Sequence, residues 1–285
     1  MLQDLSYGKL QNEYISRTAE ANDVVVCFSG RDVVICRHED DTLTLPRYSE
    51  VLSWQEGADS GEGDYCYAFS MQGTNYFLYL GADVRIGDTR YRLESCSALR
   101  QLVSKEICFA VMTALHLYSW YTRHRYCGRC GTKTVHDSKE RMLSCPHCGN
   151  MAYPVICPAV IVAVTDGDRL LLTKYAGRNY SRYALIAGYT EIGETLEQSV
   201  DREVMEEVGL KVKNLRYYKS QPWGVDGNIL MGFFCDLDGD DTIDLDPDEL
   251  SVAEWHMRDS LPAHDDGISL TREMIRVFEE AKEPR

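Results

Sequence analysis

The chain has 285 residues, 44% of them hydrophobic, which is enough for two modest domains with ordinary cores. Its net charge of −15 opposes non-specific binding of nucleic acid through a basic surface, so an anionic substrate would need a local cation to meet it. The opening MLQDLSYGKLQNEY has no basic stretch followed by an apolar one, and no apolar run reaches membrane-spanning length, which predicts a soluble, unexported, cytoplasmic chain with no membrane partner.

From residue 24 to residue 94, β-rich runs (VVVCF, DVVICR, YCYAFSM, NYFLYLGADV) alternate with Gly, Asp, Ser and Pro clusters, predicting an antiparallel sheet. Residues 97 to 121 then return apolar side chains at helical spacing, from Leu99 and Leu102 to Leu115 and Tyr118, with no Gly or Pro; one long helix is expected.

Two knuckles follow, Cys127-Gly-Arg-Cys130 and Cys145-Pro-His-Cys148, separated by fourteen residues. Each offers two thiolates, and together they complete a tetrahedral shell for one structural zinc ion, leaving no open position for chemistry. The odd cysteine count and this pairing fit metal ligation in a reducing compartment better than disulfides. The other seven, Cys27, Cys36 and Cys235 among them, are expected as buried free thiols. A ribbon can also read nucleic acid, but only Lys133, Lys139 and Arg141 lie between the knuckles, beside Asp137 and Glu140, which is a weak basic patch.

Beyond Val155, VICPAVIVAV, an Asp166-Gly167 turn and RLLLTKY read as a β-hairpin; more strands are expected near 214 to 220 and 229 to 237, with a closing helix in SLTREMIRVFEEAKE. The expected division is an N-terminal β-rich domain ending in a long helix (1–122), a zinc ribbon (123–153) and a third domain (154–285), an α+β chain overall.

The segment 188–210 reads as loop, helix and stop. Thr195 with Gln198 makes a capping box and Gly209 suits the left-handed terminus, giving a helix over roughly 196 to 208. Leu196, Val200, Val204 and Val208 form its buried stripe, while Glu203, Glu206 and Glu207 crowd one turn. Like charges so spaced repel, a cost that a hard divalent cation reverses; Arg202, four residues before Glu206, can pair with that carboxylate. A merely solvated acidic face is the alternative.

The wider pattern is G-x5-E-x7-R-E-U-x-E-E-x-G-U, with U bulky and apolar, filled by Gly188, Glu194, Arg202, Glu203, Val204, Glu206, Glu207, Gly209 and Leu210. It resembles the signature of the Nudix hydrolases. The resemblance implies an αβα sandwich whose loop-helix-loop binds Mg²⁺ or Mn²⁺ and hydrolyses a nucleoside diphosphate linked to another group. Glu203 and Glu207 are then expected as ligands, with Glu206 and Glu194 helping to hold metal or order water and Arg202 in support.

The ribbon placed before this segment, and Ser220-Gln221-Pro222-Trp223 after it, resemble the zinc-ribbon NADH pyrophosphatase (NAD diphosphatase) subfamily. That implies cleavage of NADH and NAD⁺ to nicotinamide mononucleotide and AMP, activity on NAD-capped RNA, and a homodimer. By matching positions, Glu140, Tyr153, Ala187, Gly188, Tyr189, Gln221, Pro222, Trp223 and Leu270 are expected to line the substrate pocket, with Tyr153 and Tyr189 able to sandwich a base and Glu249 as a further metal ligand, for which Asp246 and Asp248 in the same acidic loop are close rivals. The subfamily continues its array as P-F-P-x-S, whereas this chain has Gly224-Val225-Asp226-Gly227-Asn228, so ADP-ribose or a diadenosine polyphosphate is the alternative substrate.

Overall fold

The computed structural model describes residues 1–5, 9–55, 64–81, 83–177, 182–262 and 267–284. They form two compact units, one of 4–155 with 224–227, the other of 1–3, 156–223 and 228–285.

The first unit begins with β1 (Leu10–Gln11), β2 (Val24–Ser29), β3 (Asp32–Arg37), β4 (Leu43–Thr44), α1 (Tyr48–Gln55), β5 (Tyr65–Met71), β6 (Thr74–Tyr79) and β7 (Tyr91–Ser95). The strands join in the order β1-β5-β6-β2-β3-β4, with β7 also on β3. The expectation of a wholly antiparallel sheet is corrected, because β2 and β6 run parallel from Val24↔Tyr76 to Cys27↔Tyr79. Between them the chain crosses through α1 and the β5–β6 hairpin, so β6 returns in the direction of β2. Val25, Cys27, Val34, Cys36, Phe77 and Tyr79 pack with Val51 of α1 into one core.

The long helix is interrupted. After α2 (Leu99–Leu102), Val103 is extended and the Ser104 hydroxyl accepts from Ile107 N, starting α3 (Lys105–Arg123) afresh. Apolar periodicity continues across the break, which is why spacing alone does not reveal it; Ser104 is the signal. The ribbon that follows carries β8 (Val135–His136), β9 (Leu143–Ser144) and β10 (Met151–Ala152) as a small antiparallel sheet.

The second unit contains β11 (Cys157–Asp166), β12 (Arg169–Tyr175), β13 (Ile186–Tyr189), α4 (Leu196–Val208), β14 (Val212–Trp223), β15 (Asn228–Leu237), β16 (Leu250–Met257), a 3-10 turn (Arg258–Ser260) and α5 (Leu270–Glu279). Its sheet runs β14-β15-β11-β12-β16, with β13 also on β11. Alternation along β11 divides two cores: Val160, Val162 and Val164 meet Val200, Val204 and Val208 of α4, while Ile161 and Ala163 meet Leu270, Met274, Ile275 and Phe278 of α5. Helix on either face of one sheet is the expected αβα sandwich. Leu196, expected in the buried stripe of α4, is only half-buried. Cys157 is exposed, against the expectation for the unpaired cysteines, while Cys27, Cys36, Cys66, Cys96, Cys108 and Cys235 are buried.

Candidate active site

The ribbon cysteines converge. Cys127 Sγ lies 3.6 Å from Cys148 Sγ and Cys130 Sγ 3.4 Å from Cys145 Sγ, with all four within 4.8 Å of one another. Sulfurs of a tetrahedral zinc shell with Zn–S about 2.3 Å lie about 3.8 Å apart, so the quartet fits that ion. Two matching turns present it: Gly131 N donates to Cys127 O and Gly149 N to Cys145 O, each glycine at the positive φ (75° and 71°) that closes the knuckle. Thr132 beside Cys130 holds that thiol down to about 6, toward the thiolate that binds metal.

The acidic helix is built as its sequence predicts. Thr195 and Gln198 close both halves of the capping box, and Gly209, at φ 68°, ends the helix. Glu203 and Glu207 are 8% and 2% exposed, whereas Glu206 faces solvent. Burial of two carboxylates on the face that carries the valines is not what a solvated acidic surface looks like.

One guanidinium organises the cluster. Arg202 Nε donates to Glu194 Oε1 at 2.7 Å and Nη2 to Glu194 Oε2 at 2.9 Å; Nη1 donates to Glu203 Oε1 at 2.8 Å and to Glu206 Oε2 at 2.9 Å. Its Nη2 also donates to Tyr189 O, tying helix α4 to the end of β13. Arg202 thus holds three carboxylates where spacing predicted one. This contact, with Glu191 N and the Ser199 hydroxyl, holds the Glu194 carboxyl down to about 2. Burial pushes Glu203 up, Arg202 pulls it back, and the charges of Glu206 and Glu249 push it up again. Ser199 was not foreseen; a polar residue on the valine face is the signal for it.

Gly188, on β13 opposite Val160, fills a steric role. A Cβ there would lie 1.8 Å from Glu203 Cδ, so only glycine lets this carboxyl rest against the strand. Glu203 and Glu207 are buried, Glu206 faces solvent, and the charge of Glu249 reaches Glu203; carboxylate oxygens of this kind are the donors that a hard divalent cation prefers.

The expected pocket residues fall in two groups. Tyr153 and Glu140 lie in the ribbon, where the Tyr153 hydroxyl donates to Glu140 Oε2 at 2.8 Å. In the sandwich, Ala187 and Gly188 are half-buried, Tyr189 and Pro222 are exposed, and Trp223 is half-buried. Two side chains are committed to the fold. Gln221 is fully buried, its amide donating to Gln3 Oε1 and Ile268 O while its oxygen accepts from Leu270 N at the start of α5. Leu270 itself is fully buried in the core beneath α5. Both were expected to line the substrate pocket, and in the fold their side chains are held inside the sandwich.

A family model described as the NUDIX domain matches residues 156–278, and one described as the NADH pyrophosphatase zinc ribbon domain matches 122–153. The chain is 38% identical over 209 residues to a Haemophilus influenzae protein named NAD-capped RNA hydrolase NudC, covering 71% of this chain and 77% of that one. Proteins of the same name from Shigella dysenteriae and Escherichia coli K12 are 38% identical over 173 residues, 60% of this chain and 67% of theirs. A crystal structure of a NUDIX hydrolase from Nitrosomonas europaea superposes with a TM-score of 0.48 at 23% identity, covering 55% of this chain and 91% of that one. With the glutamate helix, its glycine-cradled carboxylate and a four-cysteine ribbon in one chain, the protein belongs to the Nudix hydrolases that carry the NADH pyrophosphatase zinc ribbon.

Proposed function

We propose that this chain hydrolyses the pyrophosphate bond of NADH and NAD⁺, giving nicotinamide mononucleotide and AMP, and removes NAD caps from RNA. The observation that carries the reading is the burial of Glu203 and Glu207 beside an Arg202 that binds Glu194, Glu203 and Glu206, in a chain whose relatives are named NAD-capped RNA hydrolases.

Glu203, Glu207 and Glu249 would hold Mg²⁺ or Mn²⁺, which when bound neutralises the diphosphate and acidifies water. Arg202 fixes Glu194 and Glu203 in place, so the donor set is ordered before substrate arrives. Glu206, which faces solvent and is held by Arg202, accepts the proton of the attacking water. Tyr189 offers a ring on which a base can stack, and within the ribbon Glu140 orients Tyr153 through its hydroxyl. The three-part division at residues 122 and 153, a homodimer and a cytoplasmic location belong to the same proposal. Among the described residues no helix is long and apolar enough to cross a membrane.

The test is to incubate the protein with Mg²⁺ or Mn²⁺ and NADH, NAD⁺, ADP-ribose or diadenosine polyphosphates, with Glu207→Gln as control, and to resolve the products. Selective release of the two mononucleotides, abolished in the variant, supports the reading. Preference for ADP-ribose or a diadenosine polyphosphate would show that the altered segment 224–228 has redirected specificity, and absence of any cleavage would leave a zinc-ribbon binding module.

A further inference from the structure

Three residues from the start of the sequence belong to the sandwich. Met1–Gln3 group with the second unit, parted from the rest of it along the chain by residues 4–155. Met1 and Leu2 are buried, Met1 against the core that holds Leu270, Met274 and Phe278, and Leu2 N donates to Ile268 O at 2.9 Å. Two apolar side chains removed from water and one backbone bond thus seat the tripeptide within that unit.

From this seat Gln3 reaches β14. Its Nε2 donates to Ser220 O at 3.0 Å, and its Oε1 accepts from Gln221 Nε2 at 3.1 Å. Gln221 also donates to Ile268 O at 2.8 Å and accepts from Leu270 N at 2.7 Å, so one network joins Met1–Gln3, the end of β14 and the start of α5. The end of β14 has need of such a tie. The strand lies at the edge of its sheet, and its register against β15 shifts between Tyr217 and Ser220, so the ladder by itself holds the stretch beyond less firmly. Pro222 and Trp223 close that stretch.

We propose that Met1–Gln3 is a brace for substrate binding: anchored by Met1 and Leu2, it holds Ser220 and Gln221 through the Gln3 amide and so sets the placement of Pro222 and Trp223. This rests on the reading of Pro222 and Trp223 as substrate-facing. Gln3 is a positioning residue that touches no reacting atom and acts through Ser220 and Gln221.

The brace is tested by steady-state kinetics with NADH on the full chain loaded with Zn²⁺ and Mg²⁺, together with amide hydrogen exchange at Leu270, whose N–H donates to Gln221. Gln3→Met keeps the length of a half-buried side chain and removes both hydrogen bonds. It is expected to raise KM about fivefold with kcat within about twofold, as loss of uniform binding does, and to quicken exchange at Leu270. Gln3→Glu still accepts from Gln221 but cannot donate to Ser220 O, so its KM should fall between wild type and Gln3→Met. Loss of folded protein alone would lower apparent kcat and leave KM unchanged, which separates positioning from stability. An unchanged KM in Gln3→Met, a fall in kcat alone, or unaltered exchange at Leu270 would overturn the brace. If the wild-type chain leaves NADH intact, the functional reading fails separately, and unaltered exchange at Leu270 in Gln3→Met would then overturn the brace by itself.

Discussion

Replacing Gly188 with alanine tests whether the placement of one carboxylate governs turnover. The added methyl would lie 1.8 Å from Glu203 Cδ and 1.9 and 2.1 Å from its oxygens, while real Cβ atoms essentially never approach within 3.0 Å. The carboxylate must therefore move by about 1 Å, and a misplacement of that size costs roughly 10²-fold in rate, or about 2.7 kcal/mol in the barrier. The fold should survive, since overpacking costs about 1–3 kcal/mol and the group that yields is the end of a side chain. The assay is kcat for NADH hydrolysis at saturating Mg²⁺, with a melting curve to verify folding. A folded variant with kcat within about threefold of wild type would refute the argument that Gly188 exists to make room for Glu203.

Chelation, or Cys127→Ser, should unfold the ribbon, because a structural zinc is worth roughly 10–16 kcal/mol in finger peptides; loss of bound zinc with an unchanged melting profile would count against the tetrahedral site. Arg202→Gln should cost about 1–3 kcal/mol by removing charged hydrogen bonds to three glutamates, and millimolar Mg²⁺ should narrow the difference; a gap that does not respond to Mg²⁺ would contradict a shared donor set. The Glu194 carboxyl is held at about 2 by Arg202, below its ordinary 4.5. Its contribution to stability is therefore complete above 4.5 and is lost as pH falls toward 2, so Glu194→Gln should flatten urea-measured stability across that window, and an unaltered acid limb would be the contrary result.

Features set by local chemistry were legible in the sequence. Thr195, Gln198 and Gly209 announce the ends of α4, and the CxxC spacing announces the quartet, because each involves residues a few positions apart. Features set by distant neighbours were not. The parallel pairing of β2 with β6 and the committed amide of Gln221 depend on residues far along the chain. Arg202 falls between: its i+4 partner Glu206 could be counted off, but Glu194 joins only because the preceding loop folds back. The burial of Glu203 and Glu207 likewise depends on which side of the helix the sheet takes.

Strand β11 also governs the order in which this protein can be made. Its longest pairing is with β15, parallel from Cys157↔Asn228 to Thr165↔Asp236, partners about seventy residues apart and separated by the whole of α4. During synthesis the glutamate helix α4 leaves the ribosome before the strand that completes the sheet beneath it. Until β15 emerges, Val200, Val204 and Val208 lack part of the surface that buries them, and nascent chains stalled before residue 237 carry the full glutamate signature without a finished seat for it.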